Sequence, residues 1–306
     1  MKRFNQTTLF LILTFGISFS MVAAYKLVTG DSVGTISYTI LGATYMFVPA
    51  LSALIVKKLI FKEKLCSDLQ ISFKINKWFF VAWLIMPLSA FLTLGVSLLF
   101  PGVTYNPEMT GLAERFASLT SPEQLEELKL QIAALPVSPI WLILLMGVVA
   151  GLTVNGLAAF GEELGWRGFL LYQFRNMSFA KASLLIGSIW GIWHAPLILM
   201  GHNYPQHPQI GVLMMTALCI ILTPILIYLT IKSKSVIAAA IAHGTMNATA
   251  TISIIPITGG NDLLVGLPGL AGMIALIVIT LILFVYDRYI SKENLMSEKI
   301  NHGLSL

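Results

Sequence analysis

Charge is what this sequence has least of. Only 11% of its 306 residues are Asp, Glu, Lys or Arg, against about 25% in soluble domains. So few charges cannot cover a water-facing surface, and 57% of the residues are apolar, above the roughly 45–50% of a soluble chain. The mean hydropathy of +0.83 agrees. A soluble enzyme and a disordered chain are both excluded. Cysteine is scarce too: Cys66 and Cys219 lie far apart without CxxC spacing, which excludes a disulfide framework and a zinc ribbon. No basic run is interleaved with aromatics, so the net charge of +5 concerns orientation in a bilayer and not nucleic acid. Internal repeats and low-complexity tracts are also missing.

What is present is a series of long apolar runs. A span needs about 20 mostly apolar residues, and the chain offers about eight: 7–28, 36–56, 78–100, 139–163, 182–200, 210–231, 235–256 and 265–286. The expected fold is an all-α, polytopic membrane helical bundle forming one integral-membrane domain over 1–306. The first run follows Lys2 and Arg3, and Val22 and Ala24 resemble a cleavage site. Its apolar stretch is long for a signal-peptide core, so it reads as a retained signal anchor. With the N-terminus inside, Lys2, Arg3, Lys57, Lys58, Lys62, Lys64, Lys74, Lys77, Arg167, Arg175, Lys181, Lys232, Lys234, Arg288, Lys292 and Lys299 fall on the cytoplasmic side. These are 16 of the 19 basic residues; Lys26, Arg115 and Lys129 fall outside. The positive-inside rule therefore puts both termini in the cytoplasm and calls for an even number of spans.

Two connecting segments have character. The outer segment 101–138 holds five acidic residues against two basic ones. Ser121-Pro122-Glu123-Gln124 reads as a capping box, and Leu125, Leu128, Ile132 and Leu135 make one apolar stripe, as in a short helix lying on the outer leaflet. The inner segment 57–77 is basic and suits anionic headgroups. The polar cytoplasmic tail 287–306 is expected to be loosely ordered.

A charged side chain at bilayer depth costs at least about 2.5–3.5 kcal/mol, so ionisable groups inside spans need a reason. They concentrate in three runs: Gly161-Glu162-Glu163-Leu164-Gly165-Trp166-Arg167, Trp190-Gly191-Ile192-Trp193-His194-Ala195-Pro196, and His243-Gly244-Thr245-Met246-Asn247. Polarity confined to three helices is neutralised only if those helices pack together. Glu163 and Arg167 are four apart with the acid first, the favourable order for a helical ion pair. Glu162 points about 100° away and has no partner in its own helix. A carboxylate in poor solvent has its proton affinity raised, which suits a general base. His243 and Asn247 share one face. Ala238, Ala239, Ala240 and Ala242 just before them let a neighbouring helix come close. Pro196 loosens the ladder after His194, as where a span lines a cavity. Counting about 1.5 Å per residue, the two histidines lie roughly 12–18 Å below the inner surface. Glu162 reaches that depth only if its helix tilts or continues past Arg167.

Each run also has a bland reading. A Glu–Glu–Arg cluster at a helix end can be an interfacial charge network, and a lone intramembrane His can be a packing residue. The bland readings must hold three times over to explain all of it. His202 and His207, in an outer loop, read as solvated and idle, and His302 in the tail suggests nothing. Tyr286-Asp287 is half of an aspartyl intramembrane protease pattern without its GxGD, so Asp287 reads as interfacial.

In these residues the sequence resembles the CAAX prenyl protease and bacteriocin-processing (CPBP) intramembrane endopeptidases. EExxxR, aromatic-xxx-His and HxxxN occur in order on successive polar helices over 139–250, the segment that would form the catalytic core. The likeness is to a bacterial member of the branch also called Abi. One position departs: Trp190 stands where the family usually has Phe, a change expected to leave the chemistry alone. The resemblance implies that Glu162 and His194 activate a water against the scissile carbonyl. It implies too that Glu163 and Arg167 orient the motif and that Asn247, with His243, supports the oxyanion. The family includes proteins described as metalloproteases and as metal-independent glutamate proteases. A zinc-dependent version would use Glu162, His194 and His243 as ligands. HExxH is absent and an amide suits an oxyanion hole better than a metal, so the reading without a cofactor is preferred.

The implied partners are the lipid bilayer and a membrane-associated peptide or protein. A bacterial plasma membrane setting favours a leader or pheromone precursor over a prenylated tail. Two other classes compete: a non-catalytic bacteriocin self-immunity protein, and a transporter. The second usually shows paired broken helices in two related halves, which this sequence lacks.

Overall fold

A computed structural model describes residues 5–30, 35–63, 68–115 and 122–304. The apolar runs become helices because in lipid each backbone N–H and C=O must be satisfied within its own segment. In chain order they are α1 (Gln6–Thr29), α2 (Thr35–Leu54, extended by a π-helical turn to Ile60), α3 (Lys77–Ser97), α4 (Gly111–Arg115) and α5 (Pro122–Ala133). Then come α6 (Pro139–Leu152), α7 (Val154–Glu163, continued by a π-helical stretch Leu164–Leu170), α8 (Leu171–Gln173), α9 (Phe179–Trp193) and α10 (Ala195–Leu199). The last are α11 (Pro208–Ser233), α12 (Val236–Thr249) and α13 (Leu270–Val285, running on to Ser291). Two short strands, β1 (Thr104–Tyr105) and β2 (Ile257–Thr258), pair antiparallel.

The helix starts differ between the two faces of the bundle. At the basic face, Asn5, Asn76, Ser178 and Ser235 each accept the N–H of a residue two or three positions on, capping α1, α3, α9 and α12. At the opposite face α6 and α11 start on Pro139 and Pro208, which sacrifice no helical N–H there.

Helices occupy all eight apolar runs, but they do not all have the length to cross. Five do so alone: Gln6–Thr29, Ile36–Ile60, Lys77–Ser97, Pro208–Ser233 and Leu270–Ser291. A sixth forms if Pro139–Leu152 and Val154–Gln173, bent by 50°, count as one span. The chain is thus an integral multi-pass membrane protein. Of the two short helices, α9 ends on His194 as its cap and α12 bears His243. α12 packs on α3, α6 and α7, and α9 on α11. Close approach is built in. A Cβ on Gly244 would come within 2.5 Å of the Gly156 nitrogen, and one on Gly165 within 2.4 Å of Pro49 on α2.

Several expectations need correction. Arg167 is not in a cytoplasmic segment: it is 0% exposed, because the helix runs on past it to Gln173. The tail is ordered over its described residues 287–304. Ile300 and Leu304 are buried, Phe179 donates its N–H to the Glu298 carbonyl at 2.9 Å, and buried Asp287 accepts the Met296 N–H at 3.0 Å. His207 is not idle but bonds Asp262 through Nδ1 at 2.6 Å. In the basic segment, Lys57 is buried between Glu63 and Asp68, while Lys64 and Cys66 lie outside the described residues. The short outer helix exists as α5; Ser121, its expected cap, also lies outside the described residues.

Candidate active site

Six sequence-selected residues converge from three segments. Glu162 and Glu163 end α7, Arg167 lies in the π-helical stretch, His194 is the joint between α9 and α10, and His243 and Asn247 lie on α12. The joint has a local cause. Pro196 starts a new helix at its first turn, and the His194 carbonyl accepts the N–H groups of Leu197 and Ile198 at 3.0 Å.

Glu163 and Arg167 form a buried pair at 3.0 Å, both 0% exposed. The same carboxylate oxygen receives His243 Nδ1 at 2.9 Å. A carboxylate can only accept, so Nδ1 carries a proton, and Nε2 has no hydrogen-bond partner among the described residues. Arg167 also donates through Nη2 to Thr223 Oγ1 at 3.0 Å, and its guanidinium lies 4.2 Å from the centre of the Trp190 ring. Thr223 donates its hydroxyl hydrogen bond to the Cys219 carbonyl at 2.6 Å. This network joins α7, α9, α11 and α12.

Glu162 is held differently. Its Oε2 accepts the Trp190 indole N–H at 2.7 Å, so the partner its own helix lacks comes from α9. His194 donates Nδ1–H to the Trp190 carbonyl at 2.8 Å, which again frees Nε2. Tyr45 on α2 donates to the Trp193 carbonyl at 2.6 Å and fixes the backbone beside His194. Trp193 donates its indole N–H to Ser18 of α1 at 2.8 Å. Asn247 is exposed, and its side chain has no protein hydrogen bond among the described residues.

Glu162, His194, His243 and Asn247 line one cavity of about 400 Å³, together with Tyr45, Trp190 and Cys219. Glu163 and Arg167 stand behind its wall. Sequence reasoning missed Thr223, Tyr45 and the part played by Trp190. The expectation that Trp in place of Phe leaves the chemistry alone ignored the indole N–H, a donor that Phe lacks. Among the described residues no group of three His, Cys, Asp or Glu side chains is arranged to hold a metal ion.

Fold and site together define a class: multi-pass helical membrane proteins with carboxylate, imidazole and amide groups on one cavity inside the bundle. Residues 136–249, well under half the chain, match the family described as type II CAAX prenyl endopeptidase Rce1-like. A stretch of 49 residues is 47% identical to CAAX prenyl protease 2 of Methanococcus maripaludis, covering 16% of this chain and 18% of that protein. The matched segment 136–249 carries all three polar motifs, and through it the chain is similar to the CAAX prenyl endopeptidases.

Proposed function

We propose that the protein is an intramembrane endopeptidase that cleaves membrane-associated peptides or protein tails. The observation that carries the reading is the pairing of Glu162, whose carboxylate meets one indole donor, with the free Nε2 of His194 on the same cavity. A water held between them gives its proton to Glu162 while its oxygen bonds to the scissile carbonyl carbon. The resulting oxyanion takes a hydrogen bond from the Asn247 amide, which has no other partner to give up among the described residues. His243 Nε2 adds a second when the ring carries both protons. Collapse breaks the C–N bond, and protonated Glu162 returns its proton to the leaving amine. The products are a carboxylate end and an amine end, so no co-reactant is consumed.

Glu163 and Arg167 have a positioning role in this scheme, because neither lines the cavity. The lining suits an uncharged peptide segment, as in a leader or pheromone precursor. The experiment is cleavage of a quenched fluorescent membrane peptide by purified protein in proteoliposomes. Glu162→Gln is expected to lower turnover by about 10²–10⁴ with unchanged thermal unfolding, and wild-type turnover to survive a strong chelator. Loss of wild-type turnover on chelation, restored by zinc, would replace the water-activation scheme with a metal-dependent one. Full turnover in Glu162→Gln would end the reading.

A further inference from the structure

We propose that Gly42 on α2 opens a subsite in the cavity for one large apolar side chain of the peptide, so that α2 selects the substrate by size while the polar motifs cleave it. The inference deepens the protease reading and rests on it for the word substrate. That the space takes an apolar side chain stands on geometry and is read by binding alone.

Tyr38, Thr39, Gly42, Tyr45 and Met46 of α2 all line the cavity. Their steps of three and four put them along one face of the helix. None belongs to the matched segment 136–249, so this wall comes from outside the run that carries Glu162, His194 and Asn247. Glycines on the neighbouring helix hold α2 in place. A Cβ on Gly161 would come within 2.7 Å of the Met46 carbonyl oxygen, and one on Gly165 within 2.4 Å of Pro49. Gly42 is unlike them: a Cβ added to it meets nothing within 4 Å. Packing therefore does not require a glycine here, and a glycine inside a helix costs stability relative to alanine. Gly16 and Gly95 have open space too, but both are exposed and neither lines the cavity. Gly42 is half-buried and does.

Room and chemistry agree on the occupant. At about 400 Å³ the cavity exceeds twice the roughly 150 Å³ that suffices for a benzene molecule, so a ring or a branched chain fits beside a peptide backbone. The apolar part of the lining includes Met46, Met215, Leu218, Leu222 and Met246. Methionine side chains are unbranched and adapt to different shapes, so the subsite discriminates by size and not by outline. Among the described residues no lysine or arginine lines the cavity and its one carboxylate is Glu162, which leaves a charged side chain without a counter-charge. One turn before Gly42 the Tyr38 hydroxyl is buried without a hydrogen-bond partner among the described residues. A peptide supplies the backbone carbonyl that this donor lacks, and a lipid acyl chain does not.

Binding is measured in proteoliposomes by energy transfer from the cavity residues Trp190 and Trp193 to dansyl-labelled peptides. The peptides share an Ala/Ser host and differ in one central residue, Phe, Leu or Ala. The protein carries Glu162→Gln, so that bound peptide is not cut. We expect the Phe and Leu peptides to bind about 10–100-fold more tightly than the Ala peptide, the scale for burying one such side chain. Adding Gly42→Leu fills the subsite, and that ratio should fall to about one with the melting temperature kept. A preference that survives Gly42→Leu, or no preference before it, overturns the proposal. If Gly42→Leu melts lower, Gly42→Ala decides. Its methyl group enters open space, so it should melt no lower than the parent and weaken the Phe peptide relative to the Ala peptide; an unchanged ratio overturns the proposal as well. The protease reading fails separately. A size preference that vanishes with Gly42→Leu, in a protein that cleaves none of these peptides when Glu162 is intact, keeps the subsite and removes the protease.

Discussion

At the basic end of the bundle, Lys57 meets Glu63 and Asp68, and Arg167 meets Glu163 and Thr223 with nothing exposed. In the cavity beyond, Glu162 has one indole partner, Asn247 has no hydrogen-bond partner among the described residues, and two imidazoles turn Nε2 away from their anchors. The adjacent carboxylates Glu162 and Glu163 thus do opposite work. One is paired through a single oxygen with a cation and an imidazole and ties helices together. The other keeps capacity to take a proton. The difference comes from the roughly 100° step between neighbours on a helix, which turns one acid towards α11 and α12 and the other towards the cavity and α9.

The comparison can be broken at the ion-paired end first. Arg167→Ala strips Glu163 of its cation in a site without solvent, a change that costs about 3–5 kcal/mol in comparable buried pairs. Folded yield and melting temperature should fall sharply, with activity lost as a consequence. Normal stability would mean that His243 alone satisfies the carboxylate. At the open end, Asn247→Ala should melt as wild type and lose about 10²–10³ in turnover, the scale for one oxyanion donor. A lowered melting temperature would make Asn247 a structural residue instead.

The smallest effect tests the link between the two ends. Trp190→Phe keeps an aromatic face over Arg167 and the backbone carbonyl that holds His194, and removes only the indole donor to Glu162. A hydrogen bond to a charged group is worth about 1.5–3 kcal/mol. The pH dependence of turnover should therefore move to higher pH, since the carboxylate loses a donor that favours its ionised form. A profile identical to wild type would return Trp190 to packing alone.

What could be read from the sequence followed local geometry. The Glu163–Arg167 pair was legible because i,i+4 spacing is fixed by the helix itself, and the π-helical stretch between them does not break it. That three polar runs must meet was legible from the cost of burying any of them alone. The indole bond from Trp190 to Glu162 spans 28 residues and depends on how α9 is rotated against α7, which no spacing rule gives. The length of α9 and α12 was illegible for another reason. Apolar residues look the same whether they face lipid or other helices, so a run of 20 could not announce that its helix stops at 14 or 15. The tail misled by composition: among its polar residues, Ile300 and Leu304 suffice to dock it.

The division between the two acids is tested most directly by measuring turnover and thermal unfolding of Glu162→Gln and Glu163→Gln side by side. The account predicts that Glu162→Gln melts at or above the wild-type temperature and is inactive. It predicts that Glu163→Gln, which leaves Arg167 as a buried unpaired cation, melts well below it. Equal destabilisation by both, or an active Glu162→Gln, would contradict it.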